Sequence, residues 1–329
     1  MRRDPVLQDR DPYSHDLIVE FTMQAEVGTA TQIKYWTHLR VFTLWLLGAG
    51  RRAGDHGVLL VAGTADVQRF MAHLRTATLD SSRTALSPST RKNYLASLRS
   101  FYRYCVAVGL VSSDPTVMVR TPRVVTTPGL HLSAGEIRRL LDAPGTPRER
   151  IQTYLLVFTA ARSGELRTLR WDDIDFHRRT IRLTGKGNRS RTIDIHPLLM
   201  AELRRWHVYQ DHEAERNSSL RTARMDPSTD FVLVTSRGKP VQGSTIYRQL
   251  KRRACEIGLH PLERGKHEHR SLVSPHALRR SFATQLLNKG IPIDAVADVL
   301  GHASLDTTRR HYAFSDDERR RMTIEAFTA

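Results

Sequence analysis

Cysteine is nearly absent, with only Cys105 and Cys255 in 329 residues. One falls in each half of the chain, inside an apolar helical pattern. That placement suits buried free thiols in a reducing compartment better than a disulfide, and leaves no thiolate cluster for a structural zinc site. Long apolar runs are also missing. The stretch Phe42–Leu47 is far short of the roughly 20 residues that cross a bilayer, and the opening MRRDPVLQDRDPY has no apolar signal-peptide core. A soluble, cytoplasmic protein with no membrane partner is expected. No GxxxxGK[ST] occurs, which sets aside a Walker-type phosphate loop. His260, His267 and His269 share no spacing with a cysteine or carboxylate cluster, so no metal site is expected. Acidic residues are in deficit, 34 against 51 Lys and Arg, for a net charge of +17. Residues 1–120 hold 15 basic and 10 acidic side chains, and 121–329 hold 36 and 24. A cationic surplus carried by both parts fits a polyanionic partner that both parts touch.

A length of 329 with 40% hydrophobic residues suits about two domains. The first, taken as 14–112, reads as all-helical. Ile33, Trp36, Leu39, Phe42 and Leu46 recur at helical spacing between Thr29 and Gly48, and Val67, Phe70, Met71 and Leu74 form a shorter pattern. A third helix opens at Ser87-Pro88-Ser89 and runs towards Gly109. Its apolar stripe carries Tyr94, Leu98, Phe101, Tyr102 and Cys105, and Arg91, Lys92, Arg99 and Arg103 lie off that stripe. These four bases are candidates for a phosphate-facing row, the alternative being an ordinary solvated face. Trp36, Tyr94 and Tyr102 read as core rather than base-stacking groups. Residues 113–130, with their SDP, TP and TTP steps, read as an extended linker. Ser133 and Glu136 then form a capping box that opens a second domain, 131–329.

That domain is expected to be α+β, mainly helical with a small antiparallel sheet. Helices are predicted over Ala134–Leu141 and Arg150–Ala160, and strands over Ile174–Phe176, Thr180–Leu183 and Arg191–Ile195. Gly185-Lys186-Gly187-Asn188 makes a tight hairpin with Lys186 at its tip. Residues 210–230 are polar with little pattern and read as a surface insertion. Arg162 follows directly on the apolar run TYLLVFTAA. A charge there needs a partner, and Glu165 is its local support; a purely structural salt bridge with Glu165 or Asp172 is the other reading. Further on, Ser274-Pro275 starts a helix that Gly290 stops, which puts His276 and Arg279 one turn apart over His276–Asn288. A second helix, Asp294–Leu300, ends at Gly301 with His302 beyond it, and Ser304 caps a third that carries Tyr312.

His-x-x-Arg, Leu-Gly-His, Thr-Thr and a tyrosine ten residues after the second histidine together resemble the C-terminal signature of the tyrosine recombinase (phage integrase) family. Thr159-Ala160-Ala161-Arg162-Ser163-Gly164-Glu165-Leu166 resembles its first-arginine box, although Ala160 stands where members often have glycine. Lys186 sits where the hairpin lysine is expected. The five motifs occur in family order, and the likeness runs from about residue 14 to the end. It implies a helical core-binding domain and a catalytic domain that form a C-shaped clamp on DNA. It also implies a site-specific recombinase or integrase that cleaves and religates through a 3′-phosphotyrosyl intermediate and a Holliday junction. On this resemblance Arg162, Lys186, His276, Arg279 and His302 surround the phosphate, Tyr312 is the nucleophile, Glu165 is support, and no cofactor is required. The implied partners are a duplex site with inverted-repeat half-sites and a homo-tetramer on paired sites, or a hetero-tetramer with a second recombinase, acting on the nucleoid. The short stretch before the first helical pattern suggests a compact Xer-like or mobile-element enzyme without a separate arm-binding domain. A type IB topoisomerase and a non-catalytic DNA-binding relative are the rival classes. The tail from Ser315, with a Ser315/Glu318 capping box, is expected to dock on its own domain or on a neighbouring protomer.

Overall fold

Six of the described helices start alike, with a polar side chain, Asp, Ser or Thr in five and His196 in the sixth, accepting from a first-turn N–H and proline just inside. Proline loses nothing there, since the N–H it lacks has no intrahelical acceptor. The computed structural model describes residues 4–52, 54–76, 85–124, 130–261 and 271–301. The chain divides into two units, Met1–Thr126 and Thr127–Ala329. No helix among the described residues is long and apolar enough to cross a membrane.

The first unit is helical throughout: α1 (Pro5–Arg10), α2 (Pro12–Gln24), α3 (Thr29–Gly48), α4 (Gly57–Val61), α5 (Thr64–Thr76) and α6 (Pro88–Ala107). Leu7, Ile18, Leu39, Phe42, Leu46, Phe70, Leu98 and Phe101 meet in one buried core. The first helical pattern therefore begins earlier than residue 14: Leu7 is fully buried, and Asp11 caps α2 through Ser14 N–H at 3.0 Å while also accepting from Val58 N–H at 2.9 Å. Tyr94 and Tyr102 are buried as expected, with the Tyr102 hydroxyl donating to the Leu59 carbonyl at 2.8 Å, and Trp36 packs against the same core. Cys105 lies in it, and burial pushes its thiol up to about 12. The start of the expected linker behaves differently from an extended tether. Asp114 turns the chain by accepting from Thr116, Val119 enters the core, and Arg99 donates to the Val119 carbonyl and the Thr121 hydroxyl, each at 2.8 Å. A single buried valine and a side-chain-capped turn hold this segment, signals too sparse to register as periodicity.

In the second unit, α7 (Ala134–Asp142), α8 (Pro147–Thr159) and α9 (Ser163–Thr168) precede a three-stranded antiparallel sheet of β1 (Ile174–Asp175), β2 (Thr180–Thr184) and β3 (Ser190–Asp194) in the order β1-β2-β3. Then come α10 (Pro197–Arg216), α11 (Ser218–Met225), α12 (Gly243–Glu256), α13 (Pro275–Asn288) and α14 (Ile293–Leu300). Helix α8 is apolar on nearly every side because α7, α10, α12 and α13 all pack on it. The capping box of Ser133 and Glu136 forms as expected. Residues 210–230 are not a patternless insertion: α10 runs through to Arg216, and Gln210, Ala214, Leu220 and Ala223 are buried. Their inward face escapes a hydrophobicity count because two of its contacts are polar. Gln210 accepts from Trp171 Nε1 at 2.8 Å and donates to the Val232 carbonyl at 3.2 Å.

Candidate active site

Helix α8 ends at Ala160, which adopts the left-handed conformation (φ 49°, ψ 28°) and turns the chain sharply into α9. A Cβ is costly there, which explains why glycine is common at this place in the family pattern. The turn delivers Arg162 as the residue before α9. Glu165, in the first turn, accepts from the Arg162 N–H at 2.9 Å and from its guanidinium at 2.8 Å. The local pair predicted from the i, i+3 spacing therefore forms, with the Glu165 side chain 1% exposed and that of Arg162 41% exposed.

Arg279 approaches from α13. It is 4% exposed, and it donates to the Ala160 carbonyl at 2.7 Å and to the Leu300 carbonyl. Two of its five donors thus clasp the segment that leads into Arg162 and the end of α14 that leads into Gly301 and His302. His276 lies one turn before it on the same helix and is exposed. Helices α13 and α14 pack on one another over Ala160 through Ala283, Val296 and Leu300. The sheet supplies the third approach. Lys186 opens a short 3-10 turn, Lys186–Asn188, that joins β2 to β3, and the Gly185 N–H closes its base on the Arg189 carbonyl at 2.8 Å. A Cβ on Gly185 would stand 3.1 Å from Glu165 Oε1, so glycine lets the hairpin base approach the buried carboxylate. The backbone before Lys186, the Arg162–Glu165 pair and the Arg279 clasp are thereby joined through Glu165 and Ala160. His302, Tyr312 and the tail from Ser315 lie outside the described residues, as do His267 and His269. His260 accepts from or donates to Glu136 at 2.7 Å.

Motif reading missed Arg191. It lies on β3 opposite Leu183, and it forms two parallel bonds to Glu165, Nη1 to Oε1 at 2.9 Å and Nη2 to Oε2 at 3.0 Å. The available signal was alternation: in Ser190–Asp194 the inward positions are 191 and 193, and an arginine at an inward position needs an acid. Burial alone would push the Glu165 carboxyl up. The Arg191 bonds, the Arg162 N–H, the Arg191 charge and the Arg162 side-chain bond outweigh it and hold the group down at about 2.

Of the four bases off the α6 stripe, Arg99 is engaged with Val119 and Thr121, while Lys92 and Arg103 are exposed and Arg91 is half-buried.

The family model described as the phage integrase family matches residues 131–319. The chain is 32% identical over 230 residues to tyrosine recombinase XerC of Myxococcus xanthus, covering 68% of this chain and 71% of that protein. It is 32% identical over 295 residues to tyrosine recombinase XerD of Xanthomonas campestris pv. campestris, covering 87% and 83%. Among solved structures, the Tn1549 transposon integrase in complex with transposon right end DNA shares the fold with a TM-score of 0.67 at 16% identity, over 96% of this chain and 99% of that one. XerH recombinase bound to its difH substrate gives 0.65 at 22% identity, over 94% and 84%. With a family model spanning more than half its length and relatives matched over most of theirs, the chain belongs to the phage integrase family, as a tyrosine recombinase of the Xer type that cleaves and religates DNA at specific sites.

Proposed function

We propose that Arg162 and Arg279 hold the non-bridging oxygens of the scissile phosphate while the Tyr312 hydroxyl attacks phosphorus. The P–O5′ bond breaks, Lys186 gives its proton to the departing 5′ oxygen, and His276 assists removal of the tyrosine proton. His302 donates a hydrogen bond to the phosphate. The product is a 3′-phosphotyrosyl ester. It retains the energy of the broken phosphodiester, so a 5′ hydroxyl from the partner duplex can reverse the step without ATP.

The observation that carries this reading is the joint anchoring of Arg162 and Arg279 on the Ala160 turn. A phosphodiester repels nucleophiles by its own charge, and guanidinium donors fixed before the reaction stabilise the added charge of the pentavalent transition state without reorganising. Permanent charge and a planar fork suit arginine to this task better than lysine. In the same reading the first unit is the core-binding domain, with Arg91, Lys92 and Arg103 the bases to test for phosphate contact. Four protomers assemble on two sites with inverted-repeat half-sites, and the enzyme works in the cytoplasm on nucleoid DNA.

The test is Tyr312→Phe. It removes one hydroxyl and no cation, so binding to a recombination site should stay within about twofold while the covalent protein–DNA band on a nicked suicide substrate disappears. A surviving covalent band would move the nucleophile elsewhere.

A further inference from the structure

Arg191 lies on the inward face of β3, its side chain 11% exposed, opposite Leu183 in a sheet whose other inward residues, Ile181 and Ile193, are apolar. A cation kept there must be compensated, and the compensation is elaborate. Its fork takes both oxygens of Glu165, and its Nε donates to the Val299 carbonyl at 2.8 Å. Gly301 also crowds it: a Cβ there would stand 3.0 Å from Arg191 Cδ, and the positive φ of 62° makes glycine the fitting residue twice over. One guanidinium group thus ties the strand that leaves the lysine hairpin to the arginine box and to the last turn of α14. The first two carry Lys186 and Arg162 in the chain, and the third is the described end that precedes His302 in sequence.

We propose that Arg191 is a positioning residue for cleavage: it fixes the β2–β3 hairpin, and so Lys186, against the shared Glu165 carboxylate that also orients Arg162. This rests on the reading of Lys186 as the general acid. Glu165 has two oxygens and two arginines on them, so losing Arg191 leaves the carboxylate to Arg162 alone and releases the hairpin base from α9. Lysine cannot reproduce the arrangement, because one ammonium cannot offer a parallel pair to a carboxylate and a third donor to Val299.

The test compares an ordinary suicide substrate with one carrying a bridging 5′-phosphorothiolate at the scissile position. In the second, the P–S bond breaks and a thiolate leaves without needing a proton, so a misplaced acid no longer matters. Arg191→Met should slow cleavage of the ordinary substrate by about 10²-fold, within the range of a general acid's contribution, and should recover to within about fivefold of the parent on the phosphorothiolate. Arg191→Lys, which keeps the charge beside Glu165, should show the same pattern with a loss of about tenfold, and it decides the matter if Arg191→Met fails to fold. An equal loss on both substrates, or a loss under threefold on the ordinary one, overturns the proposal. Lys186→Ala is run alongside. If it is not rescued by the phosphorothiolate, the acid reading itself is wrong; if it is rescued while both Arg191 variants are not, only the positioning role fails.

Discussion

Among the described residues of the second unit, two arginines are almost wholly buried, Arg253 on α12 at 1% and Arg279 on α13 at 4% exposure. Both staple helix ends. Arg253 donates to the carbonyls of Ala143 and Pro144 beyond α7, and to the Glu149 carbonyl and Thr153 hydroxyl of α8. Arg279 does the same for Ala160 at the end of α8 and Leu300 at the end of α14. Burial and bonds to carbonyls therefore do not distinguish a cation proposed for catalysis from a structural one. The difference lies in what the stapled segment leads to. Near Arg253 the acid, Glu149, is occupied by its own N-cap Thr146 and by Arg252. Near Arg279 the stapled residue leads within two positions to a second arginine with an exposed edge, and a lysine hairpin closes on that arginine's carboxylate.

The comparison breaks most visibly at the arginines themselves. Arg279→Lys should cut cleavage of a suicide substrate by about 10² to 10³-fold with half-site affinity changed only a few-fold, since one transition-state donor pair is lost and the bulk of the cationic surface remains. Arg253→Met should instead lower unfolding stability by about 3 kcal/mol, because it orphans several buried carbonyls, while cleavage per folded molecule stays within about twofold. Equal catalytic defects in the two variants, measured well below the melting transition, would erase the distinction drawn between them.

A middle-sized effect concerns Glu165. Its folded pKa, about 2, lies below that of an unfolded glutamate, so the stability it contributes is complete above roughly pH 4.5 and is lost as pH falls towards 2. Glu165→Gln should flatten the loss of denaturant stability between pH 5 and pH 3, by an amount on the order of 2 kcal/mol. An unchanged pH profile would mean that the carboxylate is not held ionised by its two arginines.

The smallest effect is expected at Ala160. Replacing it by glycine relieves a left-handed alanine worth about 1–2 kcal/mol, but gives up a buried methyl and stiffens nothing in the unfolded chain, so the net should stay within about 1 kcal/mol. Ala160→Val adds β-branching at positive φ and should destabilise clearly, by at least about 2 kcal/mol in a melting experiment.

What the sequence disclosed follows the range of the interactions concerned. The α13 limits were read to within a residue because Ser274, Pro275 and Gly290 act on their nearest neighbours. The Arg162–Glu165 pair was legible for the same reason, being one helical turn long. Arg191 was not, since its acid lies 26 residues away and its carbonyl 108, although its inward place on β3 was a warning. The early helices escaped because Asp11 couples α2 to Val58, a contact 47 residues long, and the 210–230 region because Gln210 fills a place where a leucine would have shown the pattern. The long-range half of the site is carried by hydrogen bonds of arginine, which leave no period in a sequence.

Helix α14 places Val296 and Leu300 in a separate small cluster with Ala160 and Ala283, and its Val299 packs at the edge of the large core around α8. The carbonyls of its last two residues, Val299 and Leu300, are held by Arg191 and Arg279. The chain that continues to His302 and Tyr312 starts from this helix end. With Tyr312 as the proposed nucleophile, moving α14 means breaking the Arg279–Leu300 and Arg191–Val299 bonds, so the placement of the tyrosine and that of the arginines are coupled through one helix end.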